Sequence, residues 1–183
     1  MSYSCHDLFP VRFYKGFIQD PLSVLNEIKS KEVEISTISE ATQLKDVTQY
    51  ATDYANPVKI NSFEKEIELF LNGLVQDQGF KSITMPQYWT AIYKGPQGMH
   101  APHTHRSGNM DMINYSGVLY LSNHDGTTFY RPHGACHNSQ IDNPAVLGNV
   151  VLFPSEIVHG YAPKITDNKN TRYIMSFNLS ISA

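Results

Sequence analysis

The chain has 183 residues, and its formal net charge is −3 at pH 7 with histidine neutral. This length suits a single domain, 1–183, and the slightly negative charge argues against a nucleic-acid-binding surface. No apolar run approaches the roughly 18 residues of a transmembrane helix. Two cysteines, Cys5 and Cys136, are too few for a disulfide framework. Because residues 1–7 also lack the basic and apolar regions of a signal peptide, we expect a cytoplasmic protein without a membrane partner.

Residues 1–80 are predicted to form a helical support region. A strand over 7–18 is expected first. Asp20 followed by Pro21 is the pattern of an N-cap and a first helical residue, and it predicts a short helix from that point. Residues 31–58 show no clear period.

The clearest helix is predicted over 62–78. Apolar residues recur there at helical spacing and form a stripe that is expected to pack against a sheet. The stripe consists of Phe63, Ile67, Phe70, Leu71, Leu74 and Val75. Asn61 or Ser62 is the expected N-cap, and Gly79 is the expected C-cap.

Residues 81–183 are predicted to form the β-structured core. Runs of β-branched and aromatic residues alternate there with Gly, Pro and Asn. Strands are expected over 87–93, 116–121, 127–131, 158–162 and 171–182, with one or two more over 145–153 around Gly148 and Asn149. Short strands after a helical start predict a mainly β fold, a sandwich or jelly roll with helices on one side.

The last predicted strand, 171–182, is the most informative. Its apolar residues alternate with more polar ones, so it has one apolar face and one mostly polar face. The more polar face carries Arg172, Ile174, Ser176, Asn178 and Ser180. This face is exposed either to solvent or to the lumen of a small barrel. A lumen lined by these polar side chains would hold a polar ligand.

Two histidines separated by one residue, His103 and His105, are the strongest chemical signal. On a strand, side chains at i and i+2 point to the same side, so the two imidazoles are expected to converge. His159, which follows an apolar strand and Pro154, is the best candidate for a third ligand. A facial triad of this kind leaves coordination positions open for substrate and O2, which is typical of non-haem Fe(II) sites.

The other histidines give weaker signals. His133, Cys136 and His137 could make a rival zinc site, but a structural zinc normally has four ligands and this cluster offers three. His100 lies close to the pair and is expected either to support the ligands or to be exposed.

Arg172 is expected to bind an anion if it lies inside a barrel. A buried guanidinium needs an anionic partner, and its planar fork suits a carboxylate. The alternative is a surface ion pair with Asp167 or Glu156. Ser176, on the same face as Arg172, could add a hydrogen bond.

Taken together, several segments resemble the 2-oxoglutarate/Fe(II)-dependent oxygenase superfamily over about 85–180. The likeness is to small oxygenases of bacteria and phages and, more distantly, to prolyl 4-hydroxylases. The segments are Tyr93, 102–105 (Pro-His-Thr-His), 115–122, 148–155, 159–160 (His-Gly) and 172–178.

The resemblance implies a double-stranded β-helix, or jelly roll, with Fe(II) and 2-oxoglutarate as cofactors. It also implies that His103 and His159 bind iron and that Arg172 binds the far carboxylate of 2-oxoglutarate. The implied reaction is hydroxylation of an unidentified substrate with release of succinate and CO2. The expected lining of the pocket is aromatic: Tyr88, Trp89, Tyr93, Tyr120 and Tyr130.

One departure from the superfamily concerns the second ligand. The superfamily usually has a carboxylate where this chain has His105. Either His105 is the ligand, or Asp111 reaches in from the following loop, or the site binds metal without the usual chemistry. A smaller departure is Ile174, where relatives often have serine, and Ser176 could substitute for it.

Two other classes of protein remain open. A cupin-type dioxygenase with three histidine ligands would not need 2-oxoglutarate, and its pattern does not require Arg172. A non-enzymatic jelly-roll module would use the histidines for a structural metal or not at all. The segments 106–115 and 133–143 could form a lid. The sequence specifies neither the substrate nor the oligomeric state, for which a homodimer is one possibility.

Overall fold

The structure is a computed structural model of the chain and describes residues 11–42, 50–94, 100–105, 113–130, 140–161 and 171–182. The described residues form three helices and ten strands. The helices are α1 (Pro21–Ser30), α2 (Glu32–Thr42) and α3 (Asn61–Gln78). The strands are β1 (Tyr14–Phe17), β2 (Tyr50–Thr52), β3 (Ser82–Tyr93), β4 (His100–His103), β5 (Tyr115–Tyr120), β6 (His124–Tyr130), β7 (Gln140–Ala145), β8 (Asn149–Pro154), β9 (His159–Tyr161) and β10 (Arg172–Ser182).

Two antiparallel sheets face each other. The major sheet has six strands in the order β1-β8-β5-β10-β3-β2, and the minor sheet has four in the order β4-β9-β6-β7. From β3 onward consecutive strands lie in opposite sheets, except β6 and β7, which pair with each other in the minor sheet. This arrangement is the predicted double-stranded β-helix, and the fold-class prediction is confirmed.

Strand β10 lies in the middle of the major sheet, paired with β3 on one side and with β5 on the other. Both of its faces are buried. On the more polar face, Arg172 and Asn178 are each 2% exposed and Ser176 is 8% exposed. The polar face of the predicted last strand therefore lines a lumen rather than solvent.

The major sheet separates two hydrophobic cores. The outer core joins Phe63 and Ile67 of α3 to Met175, Phe177 and Leu179 of β10. The inner core lies between the two sheets, and its larger members are Tyr93, Tyr120, Phe129, Phe153 and Tyr161. The helices thus support the sheet from outside, and the space between the sheets is left for a site.

The predicted helix ends are partly confirmed. Asp20 caps α1, because its carboxylate accepts a hydrogen bond from the Ser23 backbone N–H at 3.0 Å. Gly79 ends α3 in the left-handed conformation at φ 69°. The predicted N-cap of α3 is wrong: the residue before the helix is Ile60, which has no side-chain cap.

The first turn of α3 is capped by another helix. Glu27 of α1 accepts hydrogen bonds from the Asn61 N–H at 3.0 Å and from the Ser62 N–H at 2.8 Å. It also accepts one from the Ser62 hydroxyl at 2.6 Å. A carboxylate at a helix N-terminus satisfies free donors and complements the helix dipole, so Glu27 replaces the local cap that the sequence suggested.

Several element boundaries differ from the prediction. The patternless segment 31–58 contains α2 and β2, and β3 begins at Ser82 rather than at residue 87. The region 145–153, where one or two strands were predicted, contains the end of β7 and most of β8, which are separated where Gly148 has φ 84°. In the ranges that the structure describes, no helix has both the length and the apolar character needed to cross a membrane.

Candidate metal centre

Strand pairing brings the three predicted metal ligands together. His103 on β4 lies directly opposite His159 on β9. His105 follows two residues later, and its backbone N–H donates to the Ser155 carbonyl at 3.0 Å. One ring nitrogen from each of the three histidines lies within 4.8 Å of the others, and the Nε2 atoms of His103 and His105 are 3.2 Å apart. This cluster can hold a metal ion.

Each histidine ring is oriented by an oxygen atom at Nδ1. The pairs are His103 Nδ1 with the Ala101 carbonyl at 2.9 Å, His159 Nδ1 with the Ile157 carbonyl at 2.9 Å, and His105 Nδ1 with Asn178 Oδ1 at 2.7 Å. Carbonyl and amide oxygens only accept hydrogen bonds, so each Nδ1 carries the hydrogen. Each Nε2 then presents a lone pair, the form in which a neutral imidazole binds a metal.

Burial keeps the rings of His105 and His159 neutral. It lowers the pKa of His159 to about 3, with smaller contributions from the neighbouring imidazoles. Burial likewise lowers the pKa of His105 to about 4, although the hydrogen bond to Asn178 partly opposes it. Since metal ligands must be deprotonated, the ligand nitrogens of these two residues are available at neutral pH.

Arg172 is a buried cation near the histidines. Its guanidinium carbon lies 3.8 Å from the centre of the Tyr161 ring and 4.8 Å from that of Tyr93. Its Nε and Nη1 atoms are buried without a hydrogen-bond partner, and no described carboxylate, Glu156 included, forms an ion pair with it. The alternative partner Asp167 lies outside the described residues.

One cavity between the sheets, the inner pocket, contains all six predicted site residues. It is lined by His103, His105, His159, Arg172, Ser176 and Tyr93. The same cavity is lined by Ile174, at the position where the related pattern has serine, and by Thr127. The Tyr93 hydroxyl lies 3.1 Å from His100 Nδ1. A candidate metal site and a guanidinium with two donors that lack partners among the described residues therefore share one cavity.

A second cavity, the outer pocket, adjoins the inner one. Trp89, His100, His103 and His105 line both cavities, so the histidines form the boundary between them. The remaining walls of the outer pocket are Tyr50, Thr52, Tyr54, Thr104 and Asn178. Arg172 and His159 line only the inner pocket, so a ligand in the outer pocket would lie against His103 and His105.

Some sequence predictions about the site are corrected. Tyr88 points to the other side of the major sheet, where its ring packs on Phe63 and its hydroxyl donates to Glu64 at 2.7 Å. Trp89 and Tyr93 line the inner pocket as expected, whereas Tyr120 belongs to the inner core and does not line either pocket.

Other predicted residues cannot be placed. Asp111, the rival zinc cluster His133, Cys136 and His137, and most of both predicted lid segments lie outside the described residues. Sequence reasoning also missed contacts. It gave no role to Thr127. It also did not pair Asn178 with His105, because these two residues are 73 positions apart in the chain.

No protein-family model matches the chain, and no curated protein matches its sequence. Solved structures do match. A prolyl-4-hydroxylase from Pseudomonas putida is 18% identical with a TM-score of 0.60, over 92% of this chain and 91% of that one. The viral collagen prolyl hydroxylase of Paramecium bursaria Chlorella virus-1, solved as a 2-oxoglutarate complex, is 10% identical with a TM-score of 0.63, over 92% and 94%.

A third solved structure is HygX from Streptomyces hygroscopicus with nickel and 2-oxoglutarate bound. It is 12% identical with a TM-score of 0.59, over 92% of this chain and 82% of that one. At these identities the matches establish the fold, the double-stranded β-helix that 2-oxoglutarate oxygenases have.

Proposed function

We propose that this protein is an Fe(II)- and 2-oxoglutarate-dependent dioxygenase that hydroxylates a substrate and releases succinate and CO2. The observation that carries the proposal is the shared cavity. Three histidines oriented for metal binding face the same space as a buried guanidinium that has no anionic partner among the described residues. A metal ion would bind the three histidines, and a dicarboxylate would bind the metal and pair with the guanidinium.

The residues have separate roles. His103, His105 and His159 would hold Fe(II) through Nε2, leaving further positions on the metal for exogenous ligands. Arg172 would pair with the far carboxylate of 2-oxoglutarate, with Ser176 and Tyr93 beside it. Bound iron would supply the activation of O2, with one oxygen atom going to the substrate and the other to succinate.

The protein itself supplies orientation and a dry environment. His159 is 5% exposed and Arg172 is 2% exposed, so charge interactions with a bound dicarboxylate would be screened little by water. The outer pocket, on the other side of the histidines, is where we place the substrate. Its walls carry several aromatic rings, including those of Tyr54 and Trp89, which are 4.9 Å apart at their centres.

The test is anaerobic reconstitution with Fe(II) followed by 2-oxoglutarate. Chelation of the iron by a 2-oxo acid is expected to give a weak visible charge-transfer band. Admission of O2 is then expected to remove the band and to produce succinate, even if slowly without substrate. Bound iron with neither band nor succinate would contradict the proposal.

A second candidate follows from the imidazole at His105. Three neutral ligands are also the donor set of a cupin-type dioxygenase, which would act on a substrate bound directly to the metal and would not use 2-oxoglutarate. The same experiment separates the candidates, because such an enzyme would bind iron but would give neither the charge-transfer band with 2-oxoglutarate nor succinate. A non-enzymatic jelly-roll module would consume neither O2 nor 2-oxoglutarate.

A further inference from the structure

The three candidate metal ligands differ in what holds their rings. His103 and His159 pair their Nδ1 atoms with main-chain carbonyl oxygens, which can only accept hydrogen bonds. His105 instead pairs its Nδ1 atom with a side-chain amide, through Asn178 Oδ1 at 2.7 Å. Because an amide has an acceptor at one end and a donor at the other, the position of the hydrogen on His105 depends on which end of Asn178 faces the ring.

The two orientations of this amide have opposite consequences for metal binding. When the oxygen faces the ring, Nδ1 of His105 carries the hydrogen and Nε2 keeps its lone pair. When the nitrogen faces the ring, the amide donates to Nδ1, and a neutral imidazole then carries its hydrogen on Nε2. In that second form Nε2 cannot bind a metal. The ligand role of His105 thus requires the amide orientation that the structure shows.

Two buried serines complete the hydrogen bonds of this orientation. The Ser116 hydroxyl donates to Asn178 Oδ1 at 3.2 Å, so this oxygen accepts from Ser116 as well as from His105. Since the one hydrogen of Ser116 is used, Ser155 Oγ, 3.1 Å away, is the donor to Ser116 Oγ. Ser116 is fully buried, and Ser155 and Asn178 are each 2% exposed. Water therefore competes little for these bonds, which makes a lost partner costly.

Strand register brings this network together. Asn178 on β10 lies directly opposite Ser116 on β5 and directly opposite Gln87 on β3. The far end of the amide is also occupied, because Asn178 Nδ2 donates to Gln87 Oε1 at 3.3 Å. The backbone N–H of His105 donates to the Ser155 carbonyl at 3.0 Å, which places the ring above the network. Three strands of the major sheet therefore hold the amide that faces His105.

We propose that Asn178 is a positioning residue for the metal centre. Its amide oxygen holds the hydrogen of His105 on Nδ1 and so keeps Nε2 available to the metal, while Ser116 and Ser155 support that oxygen. This inference rests on the metal-binding part of the proposed function and does not depend on 2-oxoglutarate. It gives control of metal affinity to a side chain that is not one of the three ligands.

The first test is nickel titration of Asn178→Leu, which keeps a similar volume and removes the acceptor. The chain contains a single tryptophan, Trp89, whose ring centre lies 5.5 Å from that of His105, so its fluorescence reports on the site. Nickel affinity is expected to fall about 10- to 100-fold, as when the hydrogen-bond partner of a ligand is removed. An affinity within about twofold of the parent protein would overturn the inference.

Two variants separate the acceptor from general structural effects. Asn178→Asp keeps an acceptor facing Nδ1 and is expected to bind nickel no more than about twofold more weakly than the parent protein. Asn149→Leu is the matched control: it removes another buried amide, which donates to the Gly16 carbonyl at 3.0 Å and lines neither pocket. It is expected to lower stability and to leave nickel affinity unchanged in the folded protein. Equal weakening of nickel in Asn178→Asp and Asn178→Leu, or in Asn149→Leu and Asn178→Leu, would refute a role of the acceptor.

A spectroscopic test observes the hydrogen directly. In Co(II)-loaded protein, the ring N–H protons of metal-bound histidines give strongly shifted proton NMR signals that disappear in D2O. The parent protein is expected to show three such signals from His103, His105 and His159, one for each Nδ1–H. Asn178→Leu is expected to shift or abolish the signal of His105 alone. Three unchanged signals, or equal changes in all three, would contradict the positioning role.

A double-mutant cycle tests whether Asn178 acts through His105. His105→Ala removes the ring that Asn178 holds. If the amide acts through that ring, the variant with both His105→Ala and Asn178→Leu binds nickel no more weakly than His105→Ala alone. Additive losses of affinity would show that Asn178 supports the site by another route and would refute the inference.

Failure of the proposed function would look different. A parent protein that binds no nickel would refute the metal-binding part of that proposal, and this inference with it. A parent protein that binds nickel beside an Asn178→Leu variant that binds it equally well would refute the inference about Asn178 alone. A parent protein that binds nickel but not 2-oxoglutarate would contradict the proposed reaction and leave the expected effect of Asn178→Leu on nickel unchanged.

Discussion

Arg172 is held inside the protein without an ion-pair partner among the described residues. Contacts with the faces of Tyr93 and Tyr161 offset part of the cost of burying the charge. They do not replace the lost hydrogen bonds of Nε and Nη1. A buried charge without an ion pair destabilises the folded protein until an anion binds to it.

Arg172→Met is therefore expected to stabilise the ligand-free protein while abolishing 2-oxoglutarate binding. Methionine keeps the apolar stem and removes the charge, so the free energy of unfolding should rise by about 1–2 kcal/mol. Urea unfolding measures this rise, and nickel titration checks that metal binding is unchanged. A variant less stable than the parent would show that the cation already has a partner in the folded protein.

As the second ligand, His105 would set the charge of the metal centre. With three neutral imidazoles, a divalent ion keeps its full charge, whereas a carboxylate ligand would cancel part of it. The ring of His105 is well supported, because Ser116 Oγ also lies 2.9 Å from its Nδ1. His105 lies in the group of three histidines that could hold a metal ion, whereas Asp111 lies outside the described residues.

Two substitutions decide between the candidate ligands. His105→Ala is expected to weaken metal binding at least about 100-fold, since it removes one of three ligands. Asp111→Asn is expected to leave the affinity within about threefold of the parent. Nickel or cobalt titration of the folded proteins gives both values. The reverse result, with metal lost in Asp111→Asn and circular dichroism unchanged, would make Asp111 the ligand.

The spacing of residues predicted which histidines come together, but it could not predict what orients their rings. The alternation of apolar and more polar residues in β10 and the spacing of His103 and His105 are local patterns, and the structure contains both. The partner of His105 is Asn178, 73 residues away in the chain. Such contacts depend on strand register between sheets, which no local period encodes.

At the scale of elements, α1 and α3 are fixed to each other by carboxylates. Glu27 of α1 caps α3, while Glu66 of α3 accepts hydrogen bonds from the backbone N–H groups of Gln19 and Asp20 at 2.8 and 3.0 Å. Each helix thus satisfies donors at or near the start of the other. The sequence offered Asn61 and Ser62 as local caps, and the long-range cap replaced them because an ionised carboxylate is the stronger acceptor.

Glu27→Gln is expected to destabilise the protein by about 1–3 kcal/mol near neutral pH. Burial alone would raise the pKa of Glu27, but hydrogen bonds from Ser62, Lys31 and Asn61 outweigh it and lower the pKa from 4.5 to about 2. The lowered pKa means that the stabilisation is full above about pH 4.5 and is lost as the pH falls toward 2.

The measurement is urea unfolding of both proteins across that pH range. The difference between the parent and Glu27→Gln should shrink steadily as the pH falls from 4.5 to 2. Glu68→Gln, an exposed position on α3, is the matched control and should differ little from the parent at any pH. A pH-independent difference would mean that Glu27 acts through packing rather than through its charge.

At the scale of the whole molecule, the major sheet separates the larger hydrophobic core from the candidate site. Its outer face packs against the helices and holds the larger core, and its inner face forms one wall of the site. The sequence predicted a jelly roll with helices on one side, and this arrangement is confirmed. It missed α2 and β2 because neither has a marked period: α2 is short, and β2 has only three residues at a sheet edge.

This division predicts that stability and metal affinity can be changed separately. Phe63 is fully buried in the outer core, with its ring centre 5.7 Å from that of Phe177. Phe63→Leu should lower the free energy of unfolding by about 1–2 kcal/mol and leave nickel affinity unchanged in the folded protein. The leucine leaves a small void behind the sheet and does not reach the histidines.

Gly160→Ala is the matched change on the inner side. A Cβ atom there would lie 2.9 Å from the His100 carbonyl oxygen and 3.1 Å from Pro102 N, so β4 must move away from β9. Because His103 and His159 face each other across these two strands, nickel affinity should fall at least about tenfold. Unfolding and nickel titration on both variants test the separation. If Phe63→Leu weakened nickel as much as Gly160→Ala does, metal affinity would follow overall stability rather than the spacing of β4 and β9.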